Sequence, residues 1–309
     1  NYMFLNPKKV AFGRHETFIL RYSWLTKGYQ AIQNNPLIFS DDNATVELGV
    51  GKNMVSSIKY WLQAVKLIKV REKGGYESTK LGEKIFGDNG YDPYLEDEGT
   101  IWLIHWLLSS NPDLATGWFW FFNNFHKQEF SSEEVASSLV DFATQNITTK
   151  VSKTTLRNDA KTVLRMYGRS KNNSKGVVEE ALDSPLSSLG LISQSLVGKT
   201  FKSQQGERKD LPINIFGYAV LEYIQTLKLN QVPIEELMYS RVSIASPGAI
   251  FRLNENSLIT KLEELSREFP ENFELRETAG IHQFYILEDI TLEVMLDKHY
   301  SIEAEAKVA

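Results

Sequence analysis

GVGKNMVSSIKYWLQAVKLIKVREKGGYESTKLG, residues 49–82, carries the pattern on which the fold turns. Val55, Ile58, Leu62 and Val65 recur three or four residues apart and form one apolar stripe, with Asn53, Ser56, Tyr60 and Gln63 on another face. That spacing predicts an amphipathic helix with a small, polar outer side. Before it, DDNATVEL suits a short helix, and Gly49 and Gly51 permit a tight turn between two steeply packed helices. After it, LIKVRE, KGG and YEST read as two strands closed at Gly74 and Gly75. Helix, turn, helix and hairpin in that order describe a winged helix, whose second helix enters a DNA major groove while the hairpin lies along phosphates. A winged helix used only for protein contacts has the same pattern. Lys52, Asn53, Ser56, Lys59 and Tyr60 on the helix and Lys73 on the hairpin are side chains that suit phosphates and base edges, which favours DNA.

Charge supports this reading. The chain of 309 residues has a formal net charge of -5, yet Lys52 to Lys84 holds eight basic residues against three acidic ones. From Lys150 to Lys175 eight basic residues face only Asp159. Ser152 is placed to cap a helix there, with Leu156, Ala160, Val163 and Leu164 inward and Lys153, Thr154, Arg157, Asn158 and Lys161 outward. SSEEVASSLVDFATQN, a helix starting near Ser131, completes a second helix-turn-helix. A solvated charged face on an ordinary helix is the alternative, but two such elements in one chain strengthen the DNA reading.

The hydrophobic content of 42% is enough for a full core and two or three small domains. The longest strongly apolar run, IWLIHWLL at 101–108, falls far short of the roughly 20 residues of a membrane-spanning helix. NYMFLNPKKV has no signal pattern and the chain has no cysteine, so a cytoplasmic protein is expected, without a thiolate zinc site or a persulfide of its own. RSKNNSKG, residues 169–176, reads as a linker, and no sequence repeat is visible. Near the end, SPGAIFRLNENSLITKLEELSREF and then two strand-like runs meeting near Ala279 and Gly280 repeat the winged-helix order. The expected fold is mainly α with short β hairpins, as two or three winged-helix units packed in one compact chain, without a large parallel sheet. Expected divisions are 1–100, 101–230 and 231–309.

FGRHETFILRYSWLTKG, LGVGKNMVSSIKYWLQAVKLI, DPYLEDEGTIWLIHWLL and SPGAIFRLNENSL with ETAGIHQFY resemble the signature segments of the SspB family, over about residues 10 to 290. In bacterial single-strand DNA phosphorothioation systems, that family is described as the DNA-nicking component. The resemblance implies a role in anti-phage defence and duplex DNA as substrate. It also implies partners: a cysteine desulfurase, an ATP-dependent sulfur transferase and an ATPase, which together replace a non-bridging phosphate oxygen by sulfur. A chain without cysteine suits that division, because sulfur would travel on other subunits.

Cutting a phosphodiester commonly uses a divalent metal, Mg2+ or Mn2+, held by carboxylates. Asp88, Asp92, Glu96, Asp97 and Glu98 form the densest acidic group, with Asp92, Glu96 and Asp97 as candidate ligands and catalytic residues. The same acids also suit the start of the following helix. His15 and Glu16, flanked by Arg14 and Arg21, are a second catalytic candidate, with His15 as general base or acid. Adjacent residues on a strand point to opposite faces, so both join one site only if the chain turns there. A structural tie of the N-terminal arm through Glu16 to Arg21 or Lys27 is the alternative. WFWFFNNF, residues 118–125, fits a stacking platform for bases or, by its helical spacing, the core. His105 reads as a satisfied core histidine. Two function classes stay open: a nicking endonuclease, and a non-catalytic DNA-binding or scaffolding subunit that reads the target for partner enzymes.

Overall fold

The computed structural model describes residues 3–170, 184–195, 199–241 and 243–308. Its first group of elements is α1 (Trp24–Asn34), α2 (Ala44–Leu48), α3 (Lys52–Ala64) and the strands β1 (Ile68–Val70) and β2 (Tyr76–Ser78). Val55, Ile58 and Leu62 of α3, with Val65 just beyond it, are buried as their spacing requires. Gly28 sets how closely α1 crosses α3, since a Cβ there would stand 2.6 Å from Ile58 Cγ2 and 2.7 Å from Leu62 Cδ1. Gly49 ends α2 at a φ of 63°. The antiparallel pair β1·β2 matches Ile68 with Ser78 and Val70 with Tyr76, and its turn passes through Gly74 and Gly75, both at positive φ.

α4 (Lys80–Phe86) and a long loop lead to α5 (Glu98–Ser109), which is buried from Gly99 onward and forms the central post of the core. α6 (Thr116–Asn124) packs beside it, and Trp118, Phe119, Trp120, Phe121 and Phe122 are all buried, so this aromatic run is core rather than a platform for bases. His105 of α5 is fully buried; its Nε2 donates to the Ile250 carbonyl at 2.7 Å and its Nδ1 accepts from the Tyr167 hydroxyl at 2.7 Å.

Next come β3 (Glu129–Phe130), α7 (Ser132–Asn146), α8 (Lys153–Tyr167), β4 (Gly168–Ser170), β5 (Ile192–Gln194) and β6 (Phe201–Lys202), in a sheet ordered β3-β6-β5-β4. α7 begins with a capping box between Ser131 and Glu134. The expected linker is in part strand, because Arg169 and Ser170 belong to β4; its remainder, with Lys171 and Lys175, lies outside the described residues. The last group is α9 (Ile213–Leu227), β7 (Gln231–Pro233), α10 (Ile234–Met238), α11 (Pro247–Ile250), α12 (Glu255–Glu268), β8 (Phe273–Thr278), β9 (Ile281–Ile286) and α13 (Leu292–Val308). Its sheet runs β7-β9-β8, all antiparallel, with the β8–β9 turn at Ala279 and Gly280. α9 packs on α12 and α13 and also meets α5, where Trp106 Nε1 donates to Glu222 Oε1 at 2.9 Å.

The fold is thus mainly α with short β hairpins. A helix, a strand, a run of helices and a closing antiparallel strand pair, with the first strand pairing with the last, occur in order from α6 to β6, where β4 precedes the closing pair, and again from α9 to β9, where three helices fill the middle. The first group has the same order without its leading strand. The recurrence is invisible as sequence identity because it resides in hydrophobic periodicity and turn chemistry. Among the described residues, the parallel ladder is β4·β5, and no helix is long and apolar enough to cross a membrane.

Candidate nucleic-acid interface

At the start of α3, Lys52 and Asn53 are exposed and Ser56 and Lys59 half-buried, while Lys73 stands exposed at the hairpin tip. Tyr60 corrects the sequence reading. It is 4% exposed, because the face that is open in the first turns of α3 is covered in the third: its hydroxyl donates to the Leu114 carbonyl at 2.7 Å, and the His15 ring packs edge-on at 6.2 Å. Tyr60 therefore has no path to a nucleic acid. On α8, Ser152 Oγ accepts from the Thr155 amide and caps the helix, leaving Lys153, Thr154, Asn158 and Lys161 exposed. Arg157 is half-buried and donates to Glu133 on α7, so it joins the two helices of its own unit.

α3 and α8 are joined by a buried bridge. The chain turns through Gly13, Glu16 and Thr17, at φ of 72°, 53° and 63°, and this turn separates His15 from Glu16: His15 is 1% exposed and Glu16 points to solvent. His15 Nε2 donates to Asp159 Oδ1 at 2.8 Å, and the Gly13 amide donates to the same oxygen at 2.9 Å. The Thr17 amide donates to His15 Nδ1 at 3.0 Å, which fixes the Nε2-protonated tautomer. The ring lies nearly parallel to Trp61 of α3, centroids 6.1 Å apart. Both ring nitrogens are thus in use within the fold, and the turn does not bring His15 and Glu16 into one site. Asp159, the one acid in the basic run, lies on the apolar face of α8 three residues after Leu156 and four before Val163. That position was its signal in the sequence.

The acidic loop is likewise committed to the fold. Asp92 is 5% exposed, and its two oxygens accept from the amides of Glu96 (2.8 Å) and Asp97 (3.1 Å). Burial raises its pKa, only partly offset by the Thr100 hydroxyl and those amides. Asp97 caps α5 by accepting from the Gly99 amide at 2.7 Å, and its other oxygen lies 3.0 Å from His299 Nε2 on α13. Burial pushes its pKa up, but His299 and the amide outweigh that and hold the carboxyl below the usual range. Glu96 is exposed. Among the described residues no three His, Cys, Asp or Glu side chains come together to hold a metal ion, so these carboxylates do not fit the expected metal site. They order a helix start and anchor α13 to it. Asp97→Ala is expected to lower the unfolding free energy by about 1–3 kcal/mol through the lost cap and the unpaired His299; a urea melt checks this.

The third group differs in charge. Residues 231–309 hold seven basic and fifteen acidic side chains, net -8, whereas residues 1–230 are net +3. α12 presents Glu255, Glu263 and Glu268 to solvent along with Asn256, Thr260 and Arg267.

The family model described as a protein of unknown function (DUF4007) matches residues 12–300. A magnesium ion-bound SspB crystal structure is similar at a TM-score of 0.83 and 28% identity, covering 94% of this chain and 88% of that one. A second SspB crystal structure gives a TM-score of 0.83 at 26% identity, covering 96% and 90%. No curated protein matches. With its order of elements and nearly its whole length shared in this way, the chain belongs to the DUF4007 family and is SspB-like.

Proposed function

We propose that this chain is a duplex-DNA-binding component of a DNA phosphorothioation system. In this reading the groups around α3 and α8 are winged-helix units on one duplex, and the acidic third group is a winged helix turned away from it. The observation that carries it is the pair of exposed polar and basic helix starts, Lys52 and Asn53 on α3 and Lys153, Thr154, Asn158 and Lys161 on α8, joined through the His15–Asp159 bridge. The likeness to SspB supports the pathway, and with it partners of the desulfurase, sulfur-transferase and ATPase classes in a cytoplasmic setting.

Each neutralised phosphate releases counterion, so log affinity should fall with log salt at about -0.9 per contact. Lys153→Glu with Lys161→Glu is expected to weaken all duplexes about equally, whereas Asn53→Ala relaxes discrimination by about 1–3 kcal/mol at one base pair. Fluorescence anisotropy over a salt series measures both, and affinity that barely changes with salt would defeat the proposal.

Nicking of one strand is the second reading, favoured by the magnesium-bound SspB neighbour. Mg2+ at phosphoryl sites is usually held by one or two carboxylates together with substrate phosphates and water. A site completed by DNA, outside the Asp92–Asp97 loop, is therefore the form that fits this chain. Supercoiled plasmid incubated with the purified protein, with and without Mg2+ or Mn2+, separates the readings. Open circles appearing only with metal support nicking; plasmid that is bound yet stays supercoiled assigns cutting to a partner.

A further inference from the structure

Two guanidinium groups lie close together where the second and third groups of elements meet. Arg252 is 4% exposed and has a φ of 50°, a left-handed conformation that a non-glycine residue keeps only when its surroundings hold it there. Its Nη1 donates to the Phe122 carbonyl at 2.9 Å, its Nη2 to those of Phe121 (3.0 Å) and Phe125 (2.8 Å), and its Nε to Ser203 Oγ at 3.1 Å. Arg208 donates through Nε to the Phe251 carbonyl at 3.0 Å and through Nη2 to that of Gln204. Among the described residues neither pairs with a carboxylate. The carbonyls ending α6 supply roughly half a negative charge, against two positive ones. Burial, with Arg208 adding to it, holds the Arg252 pKa down to about 9, as befits a buried cation short of a counter-ion.

Arg252 lines a recess of about 300 Å3 with His126, Gln128, Ser203, Gln205 and Tyr239. Each of these side chains carries an N–H or O–H donor. Ser203 is buried and accepts from Arg252, which leaves its hydroxyl proton to donate. Acids line the neighbouring recesses, Asp141 on the His126 side and Glu236 on the Tyr239 side. A buried positive charge ringed by donors, with no acid among the described residues that line the recess, has the chemistry of an oxyanion site. We propose that this recess binds a phosphate group, with Arg252 as its charge and Ser203, Gln128 and Gln205 as donors.

The same group can arrive as a free phosphate ion or as the terminal phosphate of a DNA strand; the second source rests on the DNA-binding reading. The test is thermal unfolding of the full chain in sodium phosphate and in sodium chloride at equal ionic strength. A saturable rise in Tm of several degrees is expected in phosphate alone. Because Arg252 also ends α6, its removal risks the fold. The informative variant is therefore Gln128→Ala with Gln205→Ala, both exposed, which should lose at least half of the rise. Equal Tm in the two salts, or a rise untouched in the double variant, would overturn the site. Duplexes with 5′-phosphate and 5′-hydroxyl ends then identify the source. Severalfold tighter binding of the phosphorylated end, competed by free phosphate, assigns it to DNA; a Tm response without end preference assigns it to the free ion. Failure to bind any duplex would sink the DNA reading and leave the phosphate arm intact.

Discussion

Asp159→Ala is expected to lower the unfolding free energy by about 3–5 kcal/mol and the melting temperature by on the order of 10 °C. The substitution strands the buried His15 Nε2–H and the half-buried Gly13 amide, and a buried unsatisfied group costs about 1–3 kcal/mol. It also opens a void beneath Trp118 and His15, whose rings pack at 5.6 Å. Asp159→Asn keeps one acceptor for both donors and should lose less, but it places an amide where Oδ2 has no hydrogen-bond partner. In the proposed DNA reading, Asp159→Ala also weakens binding although neither Asp159 nor His15 is exposed, because α8 is no longer registered on α3. Melts of both variants alongside binding titrations test this; Asp159→Ala melting like the unaltered protein would show that the bridge holds nothing together.

Acid should destabilise the fold through His105. Its pKa is lowered from 6.5 to about 3, chiefly by burial, with the Arg252 charge adding to this and the bond to Ile250 opposing it. The folded state therefore refuses a proton that the unfolded chain accepts. The stability from neutral His105 is complete above pH 6.5 and drains as pH falls from 6.5 toward 3, at about 1.4 kcal/mol per pH unit. Over that window the loss is on the order of 5 kcal/mol. Asp97, whose folded pKa is lowered, adds loss in acid; Asp92, whose pKa is raised, opposes it. Urea melts between pH 7.5 and 4.5 measure the slope, and His105→Gln, which cannot titrate, should flatten it. A slope of equal size in that variant would assign the acid sensitivity to the carboxylates.

What could be read from the sequence was local. The stripe Val55, Ile58, Leu62, Val65, the caps at Ser131 and Ser152 and the glycine turn at 74–75 all describe contacts within a few residues, and each stands where its periodicity or turn chemistry put it. The core role of His105 was also legible, since it sits inside an unbroken apolar run. What was missed depends on partners far along the chain. Asp159 meets His15 across 144 residues and Asp97 meets His299 across 202, so neither pair has a spacing to recognise. Tyr60 failed for the same reason: the helical wheel placed it with Asn53, but Leu114 covers it from another element. The catalytic candidates were chosen as clusters of titratable side chains, and in this fold those clusters hold helices in place. Arg252, isolated among apolar residues at 249–253, offered no pattern to follow.

The opposite charges of the two ends make the molecule an electric dipole despite its modest net charge of -5. For a polyanion still several ångströms away, the excess negative charge of residues 231–309 repels and the excess positive charge of residues 1–230 attracts. In the proposed DNA reading, a duplex approaching at random would be turned before contact, and collisions with the acidic part would be shed. The screening length is about 10 Å at 0.1 M salt and shortens as salt rises. The bias on approach would therefore fade at moderate ionic strength, before the short-range contacts of α3 and α8 give way.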